Sequence, residues 1–137
     1  MEEPFFTAEQ YSLIWYSSWQ PLVTGSYAFY KGHYDFAALS YLVLLTSLNY
    51  WRYPVLKTWR RTLDMACVQV ALLYHLVSAY NMSNAVPYYI LIGLGASSYL
   101  AGANVYNRGY WWPAALFHIG VHLLGNTGNV ILYASDS

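Results

Sequence analysis

Four apolar runs, each close to the length needed to cross a bilayer, follow one another along this chain with short breaks between them. They cover residues 36–51, 63–80, 87–106 and 111–133. A hydrocarbon core about 30 Å thick requires roughly 20 apolar residues in helical form. The runs therefore predict transmembrane helices, although the first run is rather short for a crossing.

Each break between the runs carries residues that end or start helices. Pro54 lies in the first loop, and Pro87 closes the turn NMSNAVP after the second run. Pro113 stands in the first turn of the last run, where proline is tolerated because its missing N–H has no helical partner to lose. The breaks therefore agree with separate helices connected by short loops.

The segment 11–30, YSLIWYSSWQPLVTGSYAFY, has no charged residue, which favours a fifth crossing. Its apolar character is interrupted by small, polar or helix-breaking residues, namely Ser17, Ser18, Gln20, Pro21 and Gly25. These favour an interfacial or bent helix instead. With either alternative, the sequence predicts an all-α fold: one domain over residues 1–137, containing a bundle of four or five transmembrane helices.

The composition also indicates a bilayer as the solvent. Only 9% of the 137 residues are charged, against about 25% in an average soluble domain. The chain has 16 tyrosines and 6 tryptophans, whose apolar rings and polar tips suit the interface between lipid and water. The lipid bilayer is therefore the first expected partner.

Several functional and structural classes are excluded or disfavoured by the same residues. The net charge is zero, so we expect no nucleic-acid partner, because phosphate binding needs clustered Lys and Arg. Cys67 is the single cysteine, which rules out an internal disulfide and a cysteine-based zinc cluster. The start MEEPFFTAEQ lacks the basic residues of a cleaved signal, so we expect insertion through the first hydrophobic helix.

The basic residues predict the orientation. Four of the six lie in the loop 52–61, and Arg108 lies in the loop 107–110, on the same side of the predicted bundle. By the positive-inside rule both loops face the cytosol. The sequence does not identify which membrane the protein inhabits.

Small residues line the third run. Gly93, Ser97 and Ala101 are spaced four apart, and Ser98 and Gly102 form a second pair. Such spacing lets helices approach closely in lipid. It predicts either packing inside the bundle or a surface for a second copy or another membrane protein, and the sequence does not separate the two.

Ionisable and amide side chains inside the runs are candidate functional residues, because polar groups at membrane depth are costly and usually face a bundle interior. The candidates are Asp64 and His75 in the second run and His118, His122, Asn126 and Asn129 in the last. At about 100° per residue, His118, His122, Gly125 and Asn129 share one face. Both helices are thus predicted to have a polar face.

The depths of the histidines predict a meeting point. With a rise of about 1.5 Å per residue, His75 lies roughly 18 Å above Leu63 and His122 roughly 16 Å above Trp111. A pair of histidines four residues apart is a recurrent zinc-ligand spacing. His75, His118 and His122 are therefore predicted metal ligands, and three protein ligands with an open fourth position would suit a catalytic zinc.

The order of Ser47, Asp64 and the motif HIGVH resembles the CREST membrane hydrolases, the group of alkaline ceramidases and adiponectin-type receptors. Members of that group have a serine, a histidine four residues later, an aspartate, and an HxxxH motif in the final helix. The resemblance implies seven spans and a zinc ion held by three histidines. Here Trp51 occupies the position of the first histidine, so His75 would have to substitute, and only four or five spans are available.

Three interpretations of these residues remain open. In the first, the polar residues hydrogen-bond between helices, Asp64 pairs with Arg60 or Arg61, and the protein is a non-enzymatic membrane component or assembly subunit. In the second, Asp64 and the histidines form a proton or ion pathway. In the third, the protein is a zinc-dependent intramembrane hydrolase. The first interpretation is favoured and requires no cofactor, whereas the third requires zinc.

Overall fold

The computed structural model describes residues 2–136, and all regular structure in that range is helical, which confirms the predicted all-α fold. Six α-helices occur there: α1 Ala8–Ser17, α2 Gln20–Tyr30, α3 Tyr34–Trp51, α4 Trp59–Ala79, α5 Ala85–Asn107 and α6 Trp111–Tyr133. The last four correspond to the four apolar runs.

Threonine side chains fix the starts of two helices. Thr7 and Gln10 form a reciprocal capping box at α1, with backbone-to-side-chain distances of 2.9 and 3.3 Å. Thr58 Oγ1 accepts a hydrogen bond from the Arg61 N–H at the start of α4. Such caps satisfy N–H groups that have no partner inside the helix. The cap at Thr58 starts α4 at Trp59, one turn earlier than the predicted run.

The segment 11–30 is a helix interrupted at Ser18 and Trp19. Pro21 follows the interruption and has no N–H for the helical ladder. Before α1, Phe5 is hydrogen-bonded to Pro54 and Tyr106 at one end of the bundle. After α2, His33 contacts Tyr133 at the other end. The interrupted helix therefore extends along the full length of the bundle.

Helix α6 lies at the centre of the arrangement. It packs most extensively on α5, and its other side contacts α1 and α2, which in turn pack on α3. Helix α4 packs mainly on α3 and has few contacts with α5. Two apolar clusters fill the ends of the bundle. One includes Ala28, Phe36, Ala79 and Leu132, and the other includes Ile14, Trp51 and Ala115.

Close packing of α5 on α6 depends on one of the two small-residue faces. Ser98 Oγ donates to the Phe117 carbonyl at 2.7 Å. A Cβ added at Gly102 would lie only 3.1 Å from the Phe117 Cβ, and one at Gly120 only 3.0 Å from Ser98 Oγ. Glycine at these positions lets the two backbones approach, as expected for helices in lipid.

The other small-residue face points away from α6. Gly93 and Ser97 are exposed, Ala101 is half-buried, and a Cβ added at Gly93 would meet nothing within 4 Å. Ser97 Oγ donates to the Gly93 carbonyl of its own helix at 2.9 Å. The predicted packing stripe Gly93–Ser97–Ala101 therefore does not pack inside the bundle, because α6 lies on the Ser98 and Gly102 side of α5.

Large apolar side chains cover much of the outer surface. Examples on α4 and α5 are Val70, Leu73, Val77, Ile90 and Leu100, each exposed over more than half of its surface. A soluble monomer rarely exposes so much contiguous apolar surface. Within residues 2–136, three helices, α4, α5 and α6, are long and apolar enough to cross a membrane. Helix α3 is not among them, and Asp35 and Asn49 near its ends lower its hydropathy.

Candidate functional site

Polar side chains on one face of α6 connect it to α2, α3, α4 and the end of α1. They form three groups along the helix: His118 with His122, Asn126, and Tyr133 at the last residue of the helix. A further polar contact joins α3 to α4 at the basic end of the bundle. Together these contacts form the candidate site.

His122 is held in one tautomer by Ser17 at the end of α1. Ser17 Oγ donates its single proton to the Ile14 carbonyl at 2.7 Å and lies 2.7 Å from His122 Nδ1. The hydroxyl must therefore accept from Nδ1–H, since a carbonyl can only accept. This leaves Nε2 of His122 with a free lone pair, the form of imidazole that binds a metal or a proton.

His118 lies between two other aromatic rings. Its ring centroid is 4.6 Å from that of Trp51 and 4.8 Å from that of His122. Trp51 is almost fully buried, whereas both histidines are half-buried. The indole of Trp51 thus packs on the imidazole at the position where the resemblance would place a third histidine.

Asn126 joins α6 to α2. Its amide nitrogen donates to the His122 carbonyl at 2.7 Å, and its Oδ1 accepts from Thr24 Oγ1 at 3.2 Å. The neighbouring candidate Asn129 is half-buried on the same helix. Of these two asparagines, Asn126 is the one that bridges two helices.

Tyr133 is the centre of a network that joins α3, α4 and α6. Its hydroxyl lies 2.6 Å from His75 Nε2 and 3.1 Å from Ser40 Oγ. His75 Nδ1 lies 2.6 Å from the Ala71 carbonyl and must donate to it. Nε2 therefore accepts from the Tyr133 hydroxyl, which in turn accepts from Ser40. All three side chains are buried, and every polar atom of the His75 ring has a partner.

Asp64 accepts hydrogen bonds from hydroxyl groups of α3. Ser47 Oγ and Thr46 Oγ1 lie 2.7 and 3.1 Å from its Oδ1. Arg60, one of its two predicted ion-pair partners, donates instead to the backbone carbonyls of Asn49 and Tyr53. The Asp64 side chain is buried against α3 and not directed to the exposed loop.

The three histidines predicted to share a metal ion are not brought together. No group of three or more His, Cys, Asp or Glu side chains in residues 2–136 is arranged to hold a metal. Because α4 begins at Trp59, His75 lies about 24 Å from the helix start instead of roughly 18 Å. It meets Tyr133, about three turns beyond His122, so the earlier start accounts for only about 6 Å of the difference. His118 and His122 alone could offer a metal two imidazoles.

The residues of the resemblance do lie in one neighbourhood. Ser47 contacts Asp64, Trp51 follows Ser47 by one turn of α3, and Trp51 contacts His118. A tetrahedral zinc site needs three or four ligands, and an indole supplies none. The observed arrangement is thus a polar contact region with an aromatic ring at the position where the resemblance implies a ligand.

A second set of polar contacts lies at the opposite end of the bundle. His33 Nε2 donates to the Tyr133 carbonyl at 3.2 Å, and the Tyr74 hydroxyl donates to Asp35. These contacts join the start of α3 to α4 and α6 at that end of the bundle.

Sequence reasoning missed four partners in these contacts: Ser17, Thr24, Ser40 and Tyr133. The available signal was the occurrence of small hydroxyl residues inside apolar runs, since such residues commonly hydrogen-bond to a neighbouring helix in lipid. Tyr133 gave no signal of this kind, because a tyrosine near a helix end is typical of an interface anchor.

Comparisons with known proteins do not assign this chain to a family. No protein-family model matches the sequence, and no curated protein or solved structure matches it.

Proposed function

We propose that this chain is a multi-pass integral membrane protein without catalytic activity, a structural or assembly component whose buried polar side chains fix the positions of its helices. The observation that carries the proposal is the Tyr133 network. The Tyr133 hydroxyl hydrogen-bonds to both His75 and Ser40 and so joins α3, α4 and α6. Both ring nitrogens of His75 already have hydrogen-bond partners and are not free to bind a substrate. Buried polar groups that are fully paired specify packing rather than chemistry.

Trp51 gives independent support for a non-catalytic role. It packs against His118 where a metal ligand would be needed for zinc chemistry. Replacing that ring by an imidazole would supply the missing third ligand beside His118 and His122. We therefore expect opposite zinc contents in the native protein and in the variant Trp51→His.

The native protein, purified without chelator, is expected to contain far less than one zinc per chain, whereas Trp51→His is expected to bind about one. Three imidazoles can hold zinc in a tetrahedral shell with one open position. Elemental analysis of both proteins measures the difference. Trp51→Phe, which also removes the indole, is the control and should stay metal-free. One zinc per native chain, together with lipid hydrolysis, would overturn the non-catalytic proposal.

We further propose five crossings, with the interrupted α1–α2 helix as the first and α3 as the second. Support comes from the length of the interrupted helix, which reaches from Phe5 near Tyr106 to His33 near Tyr133. The loops 52–61 and 107–110 then lie together at one end of the bundle. The positive-inside rule assigns that end to the cytosol.

Single cysteines at Thr58 and Ser83, in a Cys67→Ala background, test this topology. Thr58 lies within the basic loop and is half-buried, and Ser83 lies in the turn between α4 and α5. With a membrane-impermeant thiol reagent on sealed vesicles, only one of the two is expected to react from a given side. Labelling of both from the same side contradicts an odd number of crossings between them.

A proton pathway is the second candidate function. It is favoured by the succession of polar groups along α6, from His118 and His122 through Asn126 to Tyr133. In proteoliposomes with an imposed pH difference, this function predicts a proton flux that His122→Ala abolishes. The structural role predicts no flux above that of protein-free vesicles.

A further inference from the structure

Aromatic side chains converge on a cavity at the end of the bundle that carries the basic loop. The cavity is a wide groove open to the surface, with a volume of about 600 Å³, and Glu3 lines it. Its aromatic lining comes from four separate parts of the chain: Phe5 and Phe6 before α1, Tyr11 in α1, Tyr53 after α3, and Tyr106 and Trp111 at the α5–α6 turn. Interface tryptophans and tyrosines usually spread around the perimeter of a bundle. Here six aromatic side chains line one space.

The wall formed by the N-terminal segment is held in place by backbone contacts. The Phe5 N–H donates to the Pro54 carbonyl at 3.2 Å, and the Tyr106 hydroxyl donates to the Phe5 carbonyl at 3.0 Å. The rings of Tyr11 and Tyr53 meet edge to face, with centroids 6.3 Å apart. Preorganised walls lower the ordering cost of binding.

The chemistry of this cavity suits a weakly hydrated cation. Aromatic faces attract a cation through their quadrupole, and quaternary ammonium groups are the ligands that aromatic cages commonly take. Glu3 adds a carboxyl group, an acidic side chain of the sign that a cation requires, on the same wall.

A second, smaller cavity adjoins the first. It has a volume of about 210 Å³ and contains the Arg52 side chain, and Tyr11 lines both cavities. Arginine is the preferred side chain for recognising phosphate oxygens. The pair of cavities therefore offers a cation site and an anion site next to each other, at the level where lipid headgroups lie in the proposed topology.

We propose that the two cavities bind the phosphocholine headgroup of a bilayer lipid, with the quaternary ammonium in the aromatic cavity beside Glu3 and the phosphate at Arg52. The lipid's acyl chains lie along the apolar outer surface of the bundle. This site rests on the membrane location proposed above, which the labelling at Thr58 and Ser83 tests independently.

Calorimetric titration of the full-length protein in maltoside micelles measures the headgroup preference. Dihexanoylphosphatidylcholine is expected to bind at least about tenfold more tightly than dihexanoylphosphatidylglycerol, which has the same chains and no cation. Tetramethylammonium chloride should compete, and sodium chloride of equal ionic strength should not. Equal affinities for the two lipids, or no competition by tetramethylammonium, overturn the proposal.

Matched variants assign the cation site. Glu3→Gln is expected to weaken phosphatidylcholine binding about three- to tenfold, and Trp111→Leu about tenfold. Their controls are the adjacent residues Glu2 and Trp112, which do not line the cavity: Glu2→Gln and Trp112→Leu should leave the affinity unchanged. An equal loss of affinity in a variant and in the control at the adjacent residue would contradict a specific site, because it would show that general charge or hydrophobicity at this end of the bundle determines binding.

The phosphate site and the source of the headgroup have their own tests. Arg52→Gln should weaken lipid binding, whereas Lys57→Gln, in the same loop and outside both cavities, should not. Free phosphocholine should bind at least about tenfold more weakly than the lipid, because it has no chains to bury. Equal affinity of free phosphocholine and lipid would overturn the assignment to a bilayer lipid.

Discussion

Gly102→Leu is expected to destabilise the bundle by about 1–3 kcal/mol or more, because a side chain at this position must separate α5 from α6. A Cβ alone would lie 3.1 Å from the Phe117 Cβ and 3.6 Å from the Ala114 carbonyl. The Phe117 Cβ is bonded directly to the α6 backbone, so it cannot move aside as the end of a flexible side chain can. Thermal unfolding of the detergent-solubilised protein, followed by far-ultraviolet circular dichroism, detects the change as a lower melting temperature.

Gly93→Leu is the matched control on the same helix. Nothing lies within 4 Å of a Cβ at this position. The substitution also replaces glycine by a good helix former, which favours the helix by up to about 1 kcal/mol. We therefore expect an unchanged or slightly raised melting temperature. An equal loss of stability at both glycines would contradict the separation of α5 into a packed face and an outer face.

Tyr133→Phe is expected to cost about 1–2 kcal/mol of stability. Hydrogen bonds within membranes average only about 0.6 kcal/mol, but this hydroxyl serves His75 and Ser40 together and leaves both without it. An unsatisfied buried group costs more than a lost bond is worth. The free energy of unfolding in a mixed-micelle denaturation series measures the effect.

Two further variants test whether the loss of stability comes from the hydrogen bonds of the Tyr133 hydroxyl and not from the removal of any tyrosine hydroxyl. Tyr110→Phe removes a hydroxyl from an exposed tyrosine and should be neutral. Adding His75→Leu to Tyr133→Phe removes the unpaired nitrogen, so the double variant should be no less stable than Tyr133→Phe alone. A double variant with the summed loss of two independent substitutions would contradict the coupling of His75 to Tyr133.

Much of the helical organisation could be predicted from apolar runs and breaks. The runs 36–51, 87–106 and 111–133 begin and end within about two residues of α3, α5 and α6. The start of α4 could not be placed equally well, because Trp59, Arg60 and Arg61 read as part of a basic loop. A threonine cap decides that boundary, and polar residues in a first turn do not interrupt a helix.

The contacts of the candidate site were less accessible to sequence reasoning. Periodicity correctly put His118 and His122 on one face, and their rings are in contact. It gave no rotation of α4 relative to α6, so it could not show that His75 faces Tyr133. The 2.7 Å contact between Ser47 Oγ and Asp64 Oδ1 was likewise not predicted, because the order of two residues along the chain does not give the distance between them. Which small-residue face of α5 packs inward also depends on a neighbour's position, not on spacing.

The hydrogen bonds from α1 and α2 to α6 can form only late in synthesis of the chain. The partner of Ser17, His122, is synthesised 105 residues later, and the partner of Thr24, Asn126, is synthesised 102 residues later. At roughly 5–20 residues per second, translation of that interval takes about 5–20 s. Throughout that time the first two helices lack the last helix against which they pack. Nascent chains are therefore most dependent on the insertion machinery, or on early contact with α3, until α6 has emerged.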